Sequence, residues 1–158
     1  MKRNDRFKVR ISNILNYLEE TYLDKSIWNI WGYEINKNKI KEYLSENDLE
    51  DYPYSKLIEE GNDIAATSYS HEKRIAYLIK NKDENYIDLD FGVDCLNYIP
   101  SWGISDGNHR LLAAIIRGDD EILVDFQGSV NYAMEKLGIK KPIIVNLPKS
   151  LSTLSTFI

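Results

Sequence analysis

The chain has 158 residues, 43% hydrophobic and 28% charged, with a net charge of −5, which fits one folded domain and excludes a disordered chain. A single cysteine, Cys95, excludes an intrachain disulfide framework and a cysteine-cluster zinc site, and fits a reducing, cytoplasmic compartment. No apolar run reaches the ~18 residues of a membrane span, so no membrane partner is expected, and the acidic balance argues against a nucleic-acid platform.

The first ten residues carry Lys2, Arg3, Arg6, Lys8 and Arg10 against Asp5 alone, and lack a signal-peptide pattern. They read as a solvated basic end preceding or opening a helix, with a DNA-binding arm as the alternative. Phe7, Ile11, Ile14, Leu15, Leu18 and Tyr22 keep a helical stripe, which predicts a helix over 6–22. Residues 27–33 are aromatic and β-branched and suit a strand. Asn36 caps a second helix running to about Ser45, with Ile40, Tyr43 and Leu44 inward. Residues 46–69 read as an acidic loop with a short helix near 55–60.

Ser70 is the expected N-cap of a helix over 71–81, with Ile75, Leu78 and Ile79 buried. Residues 86–92 alternate, with Ile87, Leu89 and Phe91 on one face and Asp88 and Asp90 on the other, as in a half-buried strand. A loop over 93–103 carries Cys95, read as incidental, and a short strand delivers the chain to Asp106. Trp28, Trp31 and Trp102 are expected in the core.

Asp106-Gly107 is a turn dipeptide, and from Asn108 the composition switches to helix formers. Leu111, Leu112, Ile115 and Ile116 form an apolar stripe, Ala113 and Ala114 permit close packing, and Gly118 ends the helix. Residues 121–127 predict a further strand. Gly128-Ser129 opens a helix with Val130, Ala133, Met134 and Leu137 inward and Gly138 at its end. Residues 143–145 read as a last short strand, and a tail follows from Leu147. The element order gives an α+β (mixed α/β) fold, a small mixed sheet with helices packed on it.

The chemistry concentrates at the turn. Ser105, Asp106, Asn108, His109 and Arg110 sit on a helix N-terminus, where unpaired N–H groups and the helix dipole favour an anion. An imidazole and a guanidinium at that end add to a phosphate site. His71 and Arg74 share a helix face and form either an opposing wall or a surface helix start. Gly128 and Ser129 either hold another phosphate oxygen or make a plain N-cap. Among Asp88, Asp90, Asp94 and Asp106, Asp106 is the candidate Mg²⁺ ligand or general base, with hydrogen bonding inside the turn as its alternative.

The run Ser-Asp-Gly-Asn-His-Arg-Leu-Leu-Ala-Ala-Ile-Ile-Arg-Gly-Asp, followed by the strand at 121–127, resembles the ParB/sulfiredoxin-like superfamily. With the His-x-x-Arg-Ile-Ala-Tyr-Leu helix at 71–78 it is also similar to small bacterial and phage-associated proteins carrying Asp-Gly-Asn-His-Arg. The resemblance covers about residues 70–135. It implies a ParB/sulfiredoxin-like core at 70–146, within the one domain over 1–158 expected from length, preceded by the helical and strand extension at 1–69 and followed by the tail at 147–158. It also implies that Gly107, Asn108, His109 and Arg110 line the phosphates of a nucleotide (ATP, ADP or CTP with Mg²⁺).

Asn108 fills the slot of the sulfiredoxin cysteine, so sulfinate reduction by that chemistry is not expected. ParB proteins carry a helix-turn-helix after this region and this chain ends soon after it, so chromosome partitioning is not expected either. Three functions remain. The first is a nucleotide- or phosphate-binding protein, as an NTPase or phosphotransferase using Asp106 and His109. The second is a non-catalytic regulatory or phage–host interaction protein with a protein partner. The third is a metal-dependent nuclease.

Overall fold

The computed structural model describes residues 6–51 and 68–140. The expected helix near 55–60, the strand at 143–145 and the tail from Leu147 lie outside the described residues. Within them, five helices accompany a four-stranded mixed sheet and a separate two-stranded one, an α+β fold.

The first strand, β1 (Phe7–Arg10), runs directly into α1 (Ile11–Thr21). The single helix expected over 6–22 is therefore corrected. Phe7-Lys8-Val9-Arg10 alternates with period two, and β1 pairs antiparallel with β6 (Glu121–Gln127), Phe7 lying opposite Val124. The Ile11 N–H donates to the Asp120 carbonyl at 2.9 Å where strand becomes helix. Tertiary pairing with β6 outweighs the helical stripe that begins at Phe7.

The strand expected at 27–33 is a hairpin instead. β2 (Asn29–Ile30) and β3 (Tyr33–Glu34) pair across a two-residue turn, Trp31-Gly32, with φ of 50° and 86°. Two positive φ values match the twist of a tight hairpin. The Gly32 N–H donates to Asn29 Oδ1 at 2.8 Å and closes the turn. A tryptophan in the left-handed region costs about 1–3 kcal/mol, which glycine or asparagine there largely avoids.

α2 (Lys37–Glu46) is capped as expected: Asn36 Oδ1 accepts from the Asn38 and Lys39 N–H groups. α3 (Ser68–Lys80) begins two residues before Ser70, so Ser70 lies inside the helix and is not its cap. β4 (Ile87–Asp90) buries Ile87 and Leu89 completely, in the expected alternation. After a 3-10 turn at Asp94–Leu96, β5 (Ile104–Asp106) leads through Gly107 into α4 (Asn108–Arg117). β6 and α5 (Val130–Leu137) complete the described chain. Ala133, Met134 and Leu137 face inward as expected, but Val130 is 39% exposed because it occupies the first, solvent-facing position of α5.

The sheet order is β1-β6-β4-β5, with β4 and β6 parallel and the other pairs antiparallel. Two apolar clusters form. One joins the sheet to α1 and α5; the other joins α2, α3 and the β2–β3 hairpin. α4 belongs to both. Leu111 and Ala114 pack toward the sheet, and Leu112 and Ala113 toward α3. The two alanines are fully buried and Ile115 and Ile116 only half-buried, because a helix wedged between two layers needs small residues at its closest approaches. Truncating a buried leucine such as Leu111 to alanine costs about 2–5 kcal/mol.

Candidate functional site

Gly107 sets the geometry of α4. Its φ of 96° is left-handed, and a Cβ there would lie 2.6 Å from Ile87 Cγ2. Only glycine meets both conditions. Its carbonyl accepts the Leu111 N–H at 3.0 Å, and no side chain caps the helix. The amides of Asn108, His109 and Arg110 thus point from the helix end with the positive end of its dipole behind them.

This end opens into a cleft of about 1040 Å³. One wall is residues 24–26 and the β2–β3 hairpin; the other is the segment from Ser101 to Arg110, with Arg74 between them. Lys25 Nζ donates to the Ser101 carbonyl and ties the walls together at one end. Among the described residues, the cationic lining is Lys25, Arg74 and Arg110, and the anionic lining is Asp24 and Asp106.

Each side chain at the helix end is held. Arg110 Nη2 donates to Asp106 Oδ2 at 2.9 Å, and Nη1 lies 4.0 Å from Asp83 Oδ2. Arg110 Nε is buried without a hydrogen-bond partner among the described residues. Asp106 closes β5 opposite Asp88, and its side chain is 74% exposed. Asn108 Oδ1 accepts from Trp102 Nε1 at 3.1 Å, which fixes the carboxamide against the indole. Arg74 pairs with Asp51 at 2.8 Å and lies over the Tyr77 ring.

The two histidines, 38 residues apart in sequence, meet. His71 Nδ1 and His109 Nε2 are 2.8 Å apart and the rings stack with centroids separated by 5.0 Å. His71 is wholly buried, with Tyr33 and Trp31 rings 5.5 and 6.1 Å away. Burial pushes the His109 imidazole down to about 3, and the neighbouring His71, Arg74 and Arg110 push the same way. Burial lowers His71 as well. One imidazole donates to the other, and with burial holding both below the ordinary histidine value each is neutral at pH 7. His109 therefore adds no positive charge to the site, because a charged imidazole beside His71 would have to be desolvated.

His71, Arg74, Asp106, Gly107, Asn108, His109 and Arg110 converge as the sequence suggests, but His71 stands behind His109 and does not line the cleft. Gly128 and Ser129 lie elsewhere. The Ser129 N–H donates to the Gly92 carbonyl at 2.9 Å, and Ser129 Oγ donates to Asp94 Oδ2 at 2.8 Å. Ser129 makes no side-chain cap for α5. Ser129 holds the N-cap position of α5 as the sequence suggests, but its N–H and hydroxyl are taken up by the 92–94 loop. A Cβ on Gly128 would lie 2.2 Å from the Gly92 carbonyl oxygen, so this glycine serves a close backbone approach.

Asp106, Asp88 and Asp125 stand in register across three adjacent strands. Burial raises the Asp88 carboxyl above its ordinary value, and Asp125 and Asp106 add to it. Among the described residues, no group of three or more His, Cys, Asp or Glu side chains is placed to hold a metal ion. Asp106 is also tied to Arg110.

Two features are not legible in the sequence. Glu72 is 2% exposed, and its Oε1 accepts the Asn36 N–H at 2.8 Å, linking α3 to the start of α2. Of the tryptophans expected in the core, Trp28 and Trp102 are half-buried and Trp31 is 74% exposed. The Gly32 that follows Trp31 is the available signal for a turn there. No protein-family model matches the chain, and it shows no significant match to a curated protein or to a solved structure. No described helix is long and apolar enough to cross a membrane.

Proposed function

We propose that the chain binds a phosphate-bearing ligand, of nucleotide or related type, in the cleft at the start of α4. The uncapped N-terminus of α4, opened by left-handed Gly107 and flanked by Arg110, carries this reading. Three amides and the helix dipole supply directional donors. Arg110 adds a planar guanidinium, and Arg74 and Lys25 raise the positive potential of the walls. The cleft volume exceeds what a phosphate alone fills and suits a ligand with a larger organic part.

The groups at the helix end favour binding over turnover. His109 Nε2 is engaged by His71, and the Asp106 carboxylate is engaged by Arg110, so neither is poised as an unpaired general base. Mg²⁺ would arrive with the ligand's phosphates. The regulatory alternative, with a protein partner, shares this binding step.

Thermal shift with ATP, ADP, CTP and GTP, each with and without Mg²⁺, tests the proposal. A ligand at 100 times its Kd stabilises by about 2.7 kcal/mol. No shift with any of the four removes the phosphate reading. Release of inorganic phosphate from a bound triphosphate would replace the binding-only reading with a hydrolase.

A further inference from the structure

Trp31 is out of keeping with its place in the fold. It occupies the first left-handed position of a tight turn, where glycine, asparagine or aspartate fits without strain. It is 74% exposed, so its indole contributes little burial in return. A Cβ on the adjacent Gly32 would meet nothing within 4 Å, so the turn itself is not crowded. A strained backbone that places a large, mostly exposed aromatic on a cleft wall points to a ligand contact.

Its position agrees. Trp31 lines the cleft that α4 opens into. Its ring meets His71 edge-on at 6.1 Å, and His71 stacks on His109 at the helix end. Trp102 flanks the other side of that end through its bond to Asn108. The strands on either side are short, but Ile30 is 3% exposed and anchors the hairpin in the second apolar cluster. The turn therefore holds the indole on a fixed mount.

We infer that Trp31 is a stacking platform for a planar heterocycle on the ligand whose phosphate lies at α4, so that the site takes a free nucleotide in preference to inorganic polyphosphate. This rests on the phosphate reading above. It adds the part of the ligand that phosphate contacts do not recognise. A stacked base gains favourable contact with either face of an indole, with little dependence on base identity. Discrimination between bases is accordingly small, while discrimination against a ligand lacking a base is large.

Calorimetric titration of the full chain with ATP, CTP, ribose 5-phosphate and tripolyphosphate tests this, in wild type, Trp31→Phe, Trp31→Asn and Arg110→Ala. Trp31→Asn suits the left-handed turn, and an unchanged or raised denaturation midpoint shows that it folds. It is expected to weaken ATP and CTP binding about tenfold or more. Its tripolyphosphate affinity should change less than about twofold, and Trp31→Phe should keep most of the nucleotide affinity. Arg110→Ala should weaken every phosphate ligand. A 5′-phosphorylated oligonucleotide separates the two sources of the same chemistry; tighter binding than ATP would overturn the free-nucleotide assignment. Equal affinity of wild type for ATP and tripolyphosphate, or of Trp31→Asn and wild type for ATP, overturns the platform and leaves the phosphate reading intact. Binding of none of these compounds overturns both.

Discussion

His71 Nδ1 on α3 and His109 Nε2 on α4 lie 2.8 Å apart, and this contact joins two helices at the point where the cleft begins. Both imidazoles are shifted toward the neutral form, chiefly by burial. In the unfolded chain each titrates near the ordinary 6.5. The unfolded state therefore binds more protons than the folded state below that value. Stability from this pair is fully present above 6.5 and falls as pH drops toward about 3, where folded His109 titrates. The slope is about 1.4 kcal/mol per pH unit for each proton taken up on unfolding. Urea denaturation at pH 7, 6 and 5 should show falling stability, with a shallower fall in His109→Gln. Equal slopes in the two proteins would show that His109 is not the titrating group.

Gly107→Ala tests the helix start. The substitution forces a Cβ toward Ile87 at a left-handed φ, and should destabilise by about 2–4 kcal/mol. Gly32→Ala shares the positive φ but meets nothing within 4 Å, so about 1 kcal/mol is expected. Denaturation midpoints of the two variants make the comparison; equal losses would mean that the Ile87 contact does not matter.

Glu72 links α3 to the cap of α2 while buried, and burial raises its carboxyl above the ordinary 4.5. Here the sign is opposite to the histidines. The folded state binds the proton more tightly, so the ionised group weakens stability as pH rises above 4.5. Glu72→Gln keeps an oxygen acceptor for the Asn36 N–H and removes the charge. It should be neutral or stabilising at pH 8, with the difference disappearing near pH 4. Glu72→Ala removes the acceptor and should cost about 1–3 kcal/mol. A Glu72→Gln protein less stable than wild type at pH 8 would show that the carboxylate is compensated.

Arg110 separates folding from binding. Its partner Asp106 is exposed, so the ion pair lost in Arg110→Ala should account for no more than about 1 kcal/mol of stability, and packing of the largely buried Arg110 stem adds to that. The same variant should lose most of any thermal shift produced by a nucleotide, and Arg110→Lys should recover part of it, since a lysine keeps the charge without the planar fork. An undiminished shift in Arg110→Ala would place the ligand elsewhere.

Legibility varies along the chain with the range of the interactions involved. β4, α4 and β6 are readable because the Ile87/Leu89 alternation, the Gly107 and Gly118 boundaries and the 121–127 run are local patterns. β1 is not, because Phe7-Lys8-Val9-Arg10 satisfies two periods at once, and only the edge of β6 selects between them. The Trp31-Gly32 turn is hidden because tryptophan is a poor left-handed residue, so the local composition points to strand. Ser129 resembles a cap because a hydroxyl before a helix usually is one; Asp94 and Gly92, distant in sequence, claim its donors.

The sequence by itself determined the α+β composition, the glycine-gated start of α4 and the residues gathered there, since backbone conformation at glycine and side-chain periodicity are local properties. Only the tertiary structure decided which of those residues face the cleft. It placed His71 behind His109 and made both neutral, moved Gly128 and Ser129 away, and set Trp31 at the cleft. The physical reason is that charge state and accessibility depend on burial and on partners distant in the chain, which no local pattern encodes.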